Sequence, residues 1–350
     1  MSESSVRVAI VGATGVVGRE LLRLLAERKT PVELVGLAAS ARSAGTVLEF
    51  RSERYTVQNL EAFCFDNVDL AFFSAGSSVS HVHARRAAAE GALVIDNTNA
   101  FRMDPNTPLV VPQVNADELR VRPLSNIIAN PNCSTIPIVR LLDAVHRTNP
   151  VRAVIASTYQ AASGAGLSGI AELDHSTYEV LNATSAQPVQ ARFAAPLGFN
   201  AVPSIDVLQG DGFTLEEEKM RQEARKILKL PQLRVSATCV RVPVRNCHSA
   251  AVYVQTTEPV SAAELTARWR ASPDVQVYEG SAFPTPRVIG ASDLVHVGRI
   301  RVDPDDPRAF WFWVVSDNVR VGAALNAVQI AECLLQMRSF VLQNVCATSA

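Results

Sequence analysis

Residues 6–28 constrain the fold more tightly than any other stretch. Val6–Val11 is a short β-branched run, and Gly12-Ala-Thr-Gly15-Val-Val-Gly18 follows at once. Residues 19–28 then place leucines at 21, 22, 24 and 25, a helical spacing. Strand, glycine-rich turn and helix in that order open a dinucleotide-binding βαβ unit. The glycines permit a tight turn and let backbone N–H groups approach a pyrophosphate at the helix N-terminus. The spacing is GxxGxxG rather than GxGxxG, a variant common among NADP-binding enzymes. A second strand, 32–38, leads to Ser40, Arg42 and Ser43, where an NAD site often carries an acidic residue for the ribose hydroxyls. A guanidinium and two hydroxyls suit a 2′-phosphate instead, which points to NADP. A solvated loop would contain the same residues; their place at the end of the second strand argues for the cofactor.

The pattern continues with buried strands at 68–74 and 93–96 and an alanine-rich helix at 83–90 between them. Ser74-Ala75-Gly76 closes one strand with small residues, as a chain passing beneath a cofactor does. His81 and His83 have no acidic or thiol partner at ligand spacing, and no metal is expected. Alternating strands and helices over 1–130 predict an α/β, doubly wound (Rossmann-like) parallel sheet.

Composition narrows the class of molecule. With 48% hydrophobic and 19% charged residues the chain is too apolar for disorder. A net charge of −1 gives no basic field to recruit nucleic acid or an anionic membrane. The six cysteines (64, 133, 239, 247, 333 and 346) form no CxxC pair, which suggests free thiols in a reducing compartment. No signal-peptide pattern is read at the start, and no apolar run reaches the ~18 residues that span a bilayer. The expected location is cytoplasmic, with no nucleic acid and no membrane partner.

One of those cysteines stands apart. Ile127-Ile-Ala129 ends in Asn130-Pro-Asn132, a turn former, and Cys133-Ser-Thr135 leads into an apolar helical run over 136–145. A cysteine there feels the positive end of the helix, which lowers a thiol pKa and makes a nucleophile. A buried structural cysteine is the other reading.

The second half changes character. A strand at 152–159 runs into Gln160-Ala-Ala-Ser163-Gly164-Ala-Gly166, a small-residue loop fit either to approach a ligand or simply to turn. Residues 169–181 look helical, and 182–206 form an irregular connection. Thr214 is an N-cap for a helix to 228 with Met220, Ala224 and Ile227 as its apolar stripe. Strands follow over 235–256, interrupted near 243–246. Arg241 and His248 lie an odd number of positions apart, so an unbroken strand would point them to opposite faces, and only a bend can bring them together. Strands at 294–302 and 309–316 precede a long apolar helix over 321–341. The second half thus predicts a mixed-sheet α+β domain over 131–318, with 319–350 returning to residues 1–130. It offers many strands and few covering helices, so one sheet face needs a partner.

Taken together, GATGVVG (12–18), SARSAG (40–45), FRMDP (101–105), NPNCST (130–135), QAASGAG (160–166), EEEKMRQEARKIL (216–228), CVRVPVRNCHS (239–249), VGRIR (297–301) and GAALNAVQIAE (322–332) resemble the aspartate-β-semialdehyde dehydrogenase family over essentially the whole chain. The resemblance implies an NADP-dependent phosphorylating aldehyde dehydrogenase. It would interconvert aspartate β-semialdehyde and aspartyl phosphate through a Cys133 thioester. His248 would be the general acid/base and Gln160 would orient the substrate. Arg241 would meet the substrate carboxylate, Glu216 its amino group, Asn132 its oxygen or phosphate, and Arg102 and Lys219 the phosphate. The cofactor would rest on Gly12, Thr14, Gly15, Val16, Val17, Ser40, Arg42, Ser43, Ser163, Gly164 and Asn326. A homodimer, a small-molecule substrate and phosphate are the implied partners. Thr46, Gln113, Pro137, Ala250 and Val321 depart from the family pattern. The family also contains Usg-type paralogues that keep the fold with weak or no such activity, so a binding or assembly role is the alternative.

Overall fold

A computed structural model describes residues 5–183 and 192–337. They fall into two compact units, one running to Pro131 and resuming at Ala323, the other spanning Asn132–Gly322.

The first unit contains strands β1 (Val6–Val11), β2 (Val32–Ala39), β3 (Val47–Phe50), β4 (Glu53–Thr56), β5 (Gln58–Asn59), β6 (Leu70–Phe73), β7 (Leu93–Asp96) and β8 (Ile127–Ala129). Its helices are α1 (Val16–Glu27), α2 (Ser77–Ala89) and the short α3 (Pro112–Asn115). Among the described residues six strands form one sheet in the order β5-β2-β1-β6-β7-β8, all parallel, as the alternating pattern predicts. β6 and β7 are buried at every position because helices cover both faces of such a sheet. The chain winds from β1 to β2 on one side and resumes with β6 on the other, so β1 marks the switch point where ligands of this architecture bind. α1 buries Leu21, Leu22, Leu24 and Leu25. α2 begins at Ser77, six residues before the expected start, because a hydroxyl-rich first turn is tolerated when its donors are satisfied. Ser80 Oγ donates to Asp96 Oδ1 at 2.9 Å.

The second unit carries α4 (Thr135–His146), β9 (Val151–Gln160), α5 (Gly166–Asn182), α6 (Leu215–Ile227), β10 (Arg234–Arg241), β11 (His248–Thr256), α7 (Ala262–Arg270), β12 (Val275–Val277), α8 (Pro286–Ile289), β13 (Val295–Val302) and β14 (Ala309–Ser316). The sheet order is β10-β9-β11-β14-β13-β12, with parallel and antiparallel pairs mixed, as expected. Along β9, Val154, Ala156 and Thr158 are buried while Ile155 and Tyr159 on the other face are exposed, the alternation of a sheet covered on one side. The open face shows Tyr159 against Trp313 and Tyr253 against Trp311, with ring centroids 5.5 and 5.1 Å apart. Thr214 caps α6 in a reciprocal box with Glu217, and Met220, Ala224 and Ile227 are buried.

The expected helix over 321–341 is corrected at its start. Arg320–Ala324 forms a π-helical turn, and α9 (Leu325–Gln336) begins only after it. Asp317 Oδ1 accepts from Val319 N and Arg320 N, and its backbone oxygen accepts from Gly322 N at 3.1 Å, which widens the turn. Residues 338–341 of that expectation lie outside the described residues. So does 184–191 of the expected connection, whose remainder over 192–206 forms no helix or strand. Among the described residues no helix is long and apolar enough to cross a membrane.

Candidate active site

The register of the second sheet gathers the chemistry at one end. Gln160 ends β9 and pairs with Arg241, the last residue of the parallel β10; His248 opens β11 and pairs with Ser316, the last residue of β14.

Cys133 lies two residues before α4 and is partly exposed. Its turn is built by Asn132. Asn132 Oδ1 accepts from Ser134 N at 2.8 Å and Thr135 N at 3.3 Å, and its Nδ2 donates to Glu216 Oε1 at 2.8 Å. Asn132 N donates to Glu223 Oε2 at 2.6 Å. Both ends of the Asn132 amide thus make bonds that shape the turn. On the other side Gly322 passes so close that a Cβ there would stand 2.6 Å from the Cys133 Cβ. Burial raises the Cys239 thiol and pushes that of Cys247 up to about 12.

Glu216, 6% exposed, links Asn132 to Gln160. Its Oε1 accepts from Asn132 Nδ2 and, at 3.2 Å, from Gln160 Nε2, while its Oε2 lies 3.5 Å from Lys219 Nζ. Lys219 also pairs with Asp206. Arg241 is buried; its Nη1 donates to Ala161 O at 2.7 Å, and its guanidinium lies over the Phe193 ring. Burial lowers its pKa, while Glu216 and Cys133 are close enough to pull the other way.

The required bend between Arg241 and His248 is present. Val242 N donates to Gln160 O, and Cys247, at φ +72°, turns the chain through the left-handed region before β11 starts. Asn318 Oδ1 holds Cys247 N at 3.0 Å, and Ala162 N and Ser163 N donate to Val244 O and Arg245 O. The result places Arg241 and His248 side by side. A Cβ on Gly164 would lie 2.8 Å from Arg241 Nη1 and 3.2 Å from His248 Nε2. The His248 Nδ1 accepts from Ala161 N at 3.0 Å. Burial, joined by the Arg241 charge, holds the ring well below the ordinary imidazole value. Ser163 Oγ is engaged with Asn246 and Asn318 in the same unit.

In the first unit Gly12, at φ +83°, packs against the end of β6: a Cβ there would meet Ser74 O at 2.4 Å. A Cβ on Gly18 would meet Gly12 O at 2.3 Å, so α1 and the turn are in backbone contact. Thr14, Gly15, Val16 and Val17 line this turn half-exposed; Ser43 is half-exposed and Ser40 and Arg42 are exposed beyond β2. Asn326 is fully buried, with Nδ2 bonded to Val110 O and Asn130 Oδ1 and its Oδ1 without a partner among the described residues. A cradle of bare backbone at the switch point and an orphaned buried acceptor fit a dinucleotide with a carboxamide head. Arg102 is buried, with Nε on Asn130 O and Nη2 on Asn97 O, so its guanidinium is fixed by carbonyls.

Two contributors escaped the sequence reading. Glu223 is 1% exposed and holds the Asn132 N–H, and its signal was present: a carboxylate seven residues after Glu216 on the same stripe as Met220 and Ile227. Gly322 was within a quoted motif, yet its contact with Cys133 depends on a fold that brings residues 189 positions apart together.

Models of the semialdehyde dehydrogenase NAD-binding domain and dimerisation domain match residues 7–122 and 142–321. The chain belongs to the aspartate-semialdehyde dehydrogenase family. It is 43% identical over 340 residues to the aspartate-semialdehyde dehydrogenase of Bacillus subtilis, covering 94% of this chain and 97% of that one. With the Aquifex aeolicus enzyme of the same name it shares 44% over 334 residues, covering 94% and 98%. The fold is similar to a crystal structure of aspartate semialdehyde dehydrogenase II from Vibrio cholerae complexed with ASA. The TM-score is 0.93 and the identity 42%, over 95% of this chain and 99% of that one. The expected family is thereby established, with its nucleotide-binding and dimerisation domains in the expected order.

Proposed function

We propose that this family member interconverts aspartate β-semialdehyde and aspartyl phosphate, using NADP and phosphate, through a thioester on Cys133. The observation that carries the reading is the single sheet end holding Gln160, Arg241 and His248, with Glu216 tying Gln160 to the Cys133 turn.

Cys133, ahead of α4, adds to the aldehyde carbon and forms a thiohemiacetal. Arg241 offers the planar fork that fixes the substrate carboxylate, and Glu216 the negative charge for its amino group. Gln160, held by Glu216, orients the substrate, and His248 Nε2 serves its carbonyl oxygen. Asn132 sets the position of Cys133 from behind. Arg102 and Lys219 supply positive charge for phosphate, each within a fixed set of partners. The Gly12–Gly18 turn and Asn326 hold the cofactor, and Arg42 with Ser40 and Ser43 favours the 2′-phosphate. The family resemblance counts Ser163 and Gly164 among the cofactor residues as well. What NADP contributes when bound is hydride acceptance, the oxidation that separates a thiohemiacetal from a thioester.

Four of the five departures from the family pattern, all but Thr46, fall in accommodated positions. Pro137 occupies the first turn of α4, where an absent N–H costs little, and shares one cavity lining with Ala250. Val321 is fully buried, and Gln113 donates to Gln329. The two units correspond to an NADP domain and a catalytic and dimerisation domain. The open sheet face of the latter, with its paired Tyr and Trp residues, is the surface we assign to a second copy. The deciding experiment is reduction of NADP by aspartate semialdehyde in the presence and absence of phosphate. Phosphate-dependent turnover supports the reading; its absence moves the chain to the binding or assembly role.

A further inference from the structure

We infer that Asp317 is a positioning residue: its carboxylate closes a hydrogen-bonded clasp that sets the Cys133 side of the site against the Arg241 and His248 side. The inference rests on the reaction proposed above, in which both sides must meet one substrate. Three segments of the second unit converge on the clasp: the loop after β9, the bend before β11 and the stretch after β14. Asn318 Nδ2 donates to Ser163 Oγ at 2.9 Å, Ser163 Oγ donates to Asn246 Oδ1 at 2.9 Å, and Asn246 Nδ2 donates to Asp317 Oδ2 at 2.8 Å. Asn318 Oδ1 accepts from Cys247 N at 3.0 Å.

The direction of this chain of bonds is set at its end. An ionised carboxylate only accepts, so Asn246 turns its amide nitrogen to Asp317 and its oxygen to Ser163. Ser163 has one hydroxyl proton and gives it to that oxygen, which makes it the acceptor for Asn318 Nδ2. Asn318 is thereby left with its oxygen toward the Cys247 amide. One carboxylate thus orients two asparagine side chains. Its other oxygen works on the opposite flank. Asp317 Oδ1 accepts from Val319 N at 2.9 Å and Arg320 N at 3.0 Å, and the backbone oxygen of Asp317 accepts from Gly322 N at 3.1 Å.

The two flanks lead to the two sides of the site. On one, the Asn246 and Cys247 bonds hold the bend that brings Arg241 beside His248. On the other, the π-helical turn carries Gly322 to where a Cβ would stand 2.6 Å from that of Cys133. Asp317 is 2% exposed, so it acts through these partners and not on substrate. Opening the clasp lets the nucleophile and the substrate-holding groups shift relative to each other, and a shift of about 1 Å costs on the order of 10²-fold in rate.

The test exchanges donor and acceptor in the full-length chain. In Asp317→Asn the side-chain oxygen still accepts from Val319 N and Arg320 N, but the new amide nitrogen meets that of Asn246, donor against donor. The clasp opens while the π-helical turn keeps its acceptor. In Asn246→Asp two carboxylates face each other. In the double variant the new amide donates to the new carboxylate, which still accepts from Ser163 Oγ, and every bond returns with the roles reversed. Well below the melting temperature of each chain, kcat of each single variant is expected to fall at least about tenfold, and that of the double variant to recover to within about threefold of the wild type. The rate of Cys133 alkylation by iodoacetamide, followed by mass spectrometry, is expected to change at least about threefold in Asp317→Asn and to return in the double variant. Wild-type kcat and alkylation in Asp317→Asn overturn the inference even if the melting temperature falls, since the clasp then serves stability alone. Losses that add in the double variant overturn it as well, because the two residues then act independently. If the wild-type chain turns over no semialdehyde, the dehydrogenase reading falls, and the alkylation rates alone decide the role of the clasp.

Discussion

Two turns in this chain each precede a helix, and they are held in opposite ways. The Gly12–Gly18 turn is defined by side chains it lacks: Gly12 and Gly18 touch backbone at distances no Cβ could share. The Asn132–Thr135 turn is defined by side chains it has: Asn132 accepts from two following amides, and Glu216 and Glu223 hold Asn132 in turn. The first exposes backbone to a ligand of fixed shape and charge. The second fixes one sulfur atom. A diphosphate is recognised by many equivalent N–H groups, whereas a nucleophile needs one atom placed within a few tenths of an ångström, and that takes directional bonds from several directions.

The largest expected effect removes what the second turn exists to place. Cys133→Ala is expected to lower kcat by on the order of 10⁴–10⁶, the scale of a lost covalent nucleophile, with the melting temperature little changed. Retention of full turnover in steady-state assays would mean that the turn serves some other end. Next comes the turn without its support. Asn132→Ala leaves two amide donors at the start of α4 and an oxygen of Glu216 with reduced bonding, at about 1–3 kcal/mol for each buried group. Its kcat is expected to fall by roughly 10²-fold because the sulfur is misplaced, while mass spectrometry still detects alkylation of Cys133.

Much of this was legible in the sequence. GATGVVG after a β-branched run announces a backbone-built site, because only glycine satisfies such contacts. The capped start of α6 at Thr214 and the break between Arg241 and His248 were equally readable. The hairpin of β3 and β4 was not: its turn residues Arg51 and Ser52 have φ of +50° and +69°, where Asn-Gly or Asp-Gly would have signalled it. Cys247 hides the bend's key residue in the same way, with a positive φ at a residue that rarely adopts one. The His248 ring is held by the amide of Ala161, a partner 87 positions away, and no local pattern encodes that.

The first turn should break by addition, where the second breaks by deletion. Gly18→Ala forces a Cβ to within 2.3 Å of Gly12 O and is expected to cost about 1–3 kcal/mol by chemical denaturation, along with NADP affinity. Gly18 lies within α1 at an ordinary helical φ, so its loss reports the clash alone, whereas Gly45→Ala, at φ +85° with nothing within 4 Å of its Cβ position, reports a positive φ alone. A Gly18→Ala chain as stable as the wild type would show that close approach does not matter at residue 18. Beyond that turn, Arg42→Ala should cost about 1.5–3 kcal/mol of NADP binding and leave NAD binding unchanged, since only the 2′-phosphate gains from the guanidinium. Calorimetry with both cofactors measures the difference.

The smallest effect separates the two sites by pH. No group in Gly12–Gly18 titrates, whereas the sheet end of Gln160 and Arg241 holds His248 buried with its pKa well below the ordinary value, and His296 on β13 is also shifted down by burial. For a histidine whose folded pKa is depressed, the unfolded chain binds more protons between the folded value and the ordinary 6.5. Stability therefore stays level above that pH and falls as pH drops below it, by up to about 1.4 kcal/mol per pH unit for each such group. The melting temperature is expected to decline between about pH 7 and 5, and His248→Gln should flatten the decline by its share. His248 faces the charge of Arg241, so raising salt should not restore the lost stability, because the penalty is chiefly desolvation and only secondarily repulsion. A His248→Gln curve parallel to that of the wild type would show that the ring is solvated in the folded chain, and the contrast between a backbone-built and a side-chain-built turn would then lose its electrostatic half.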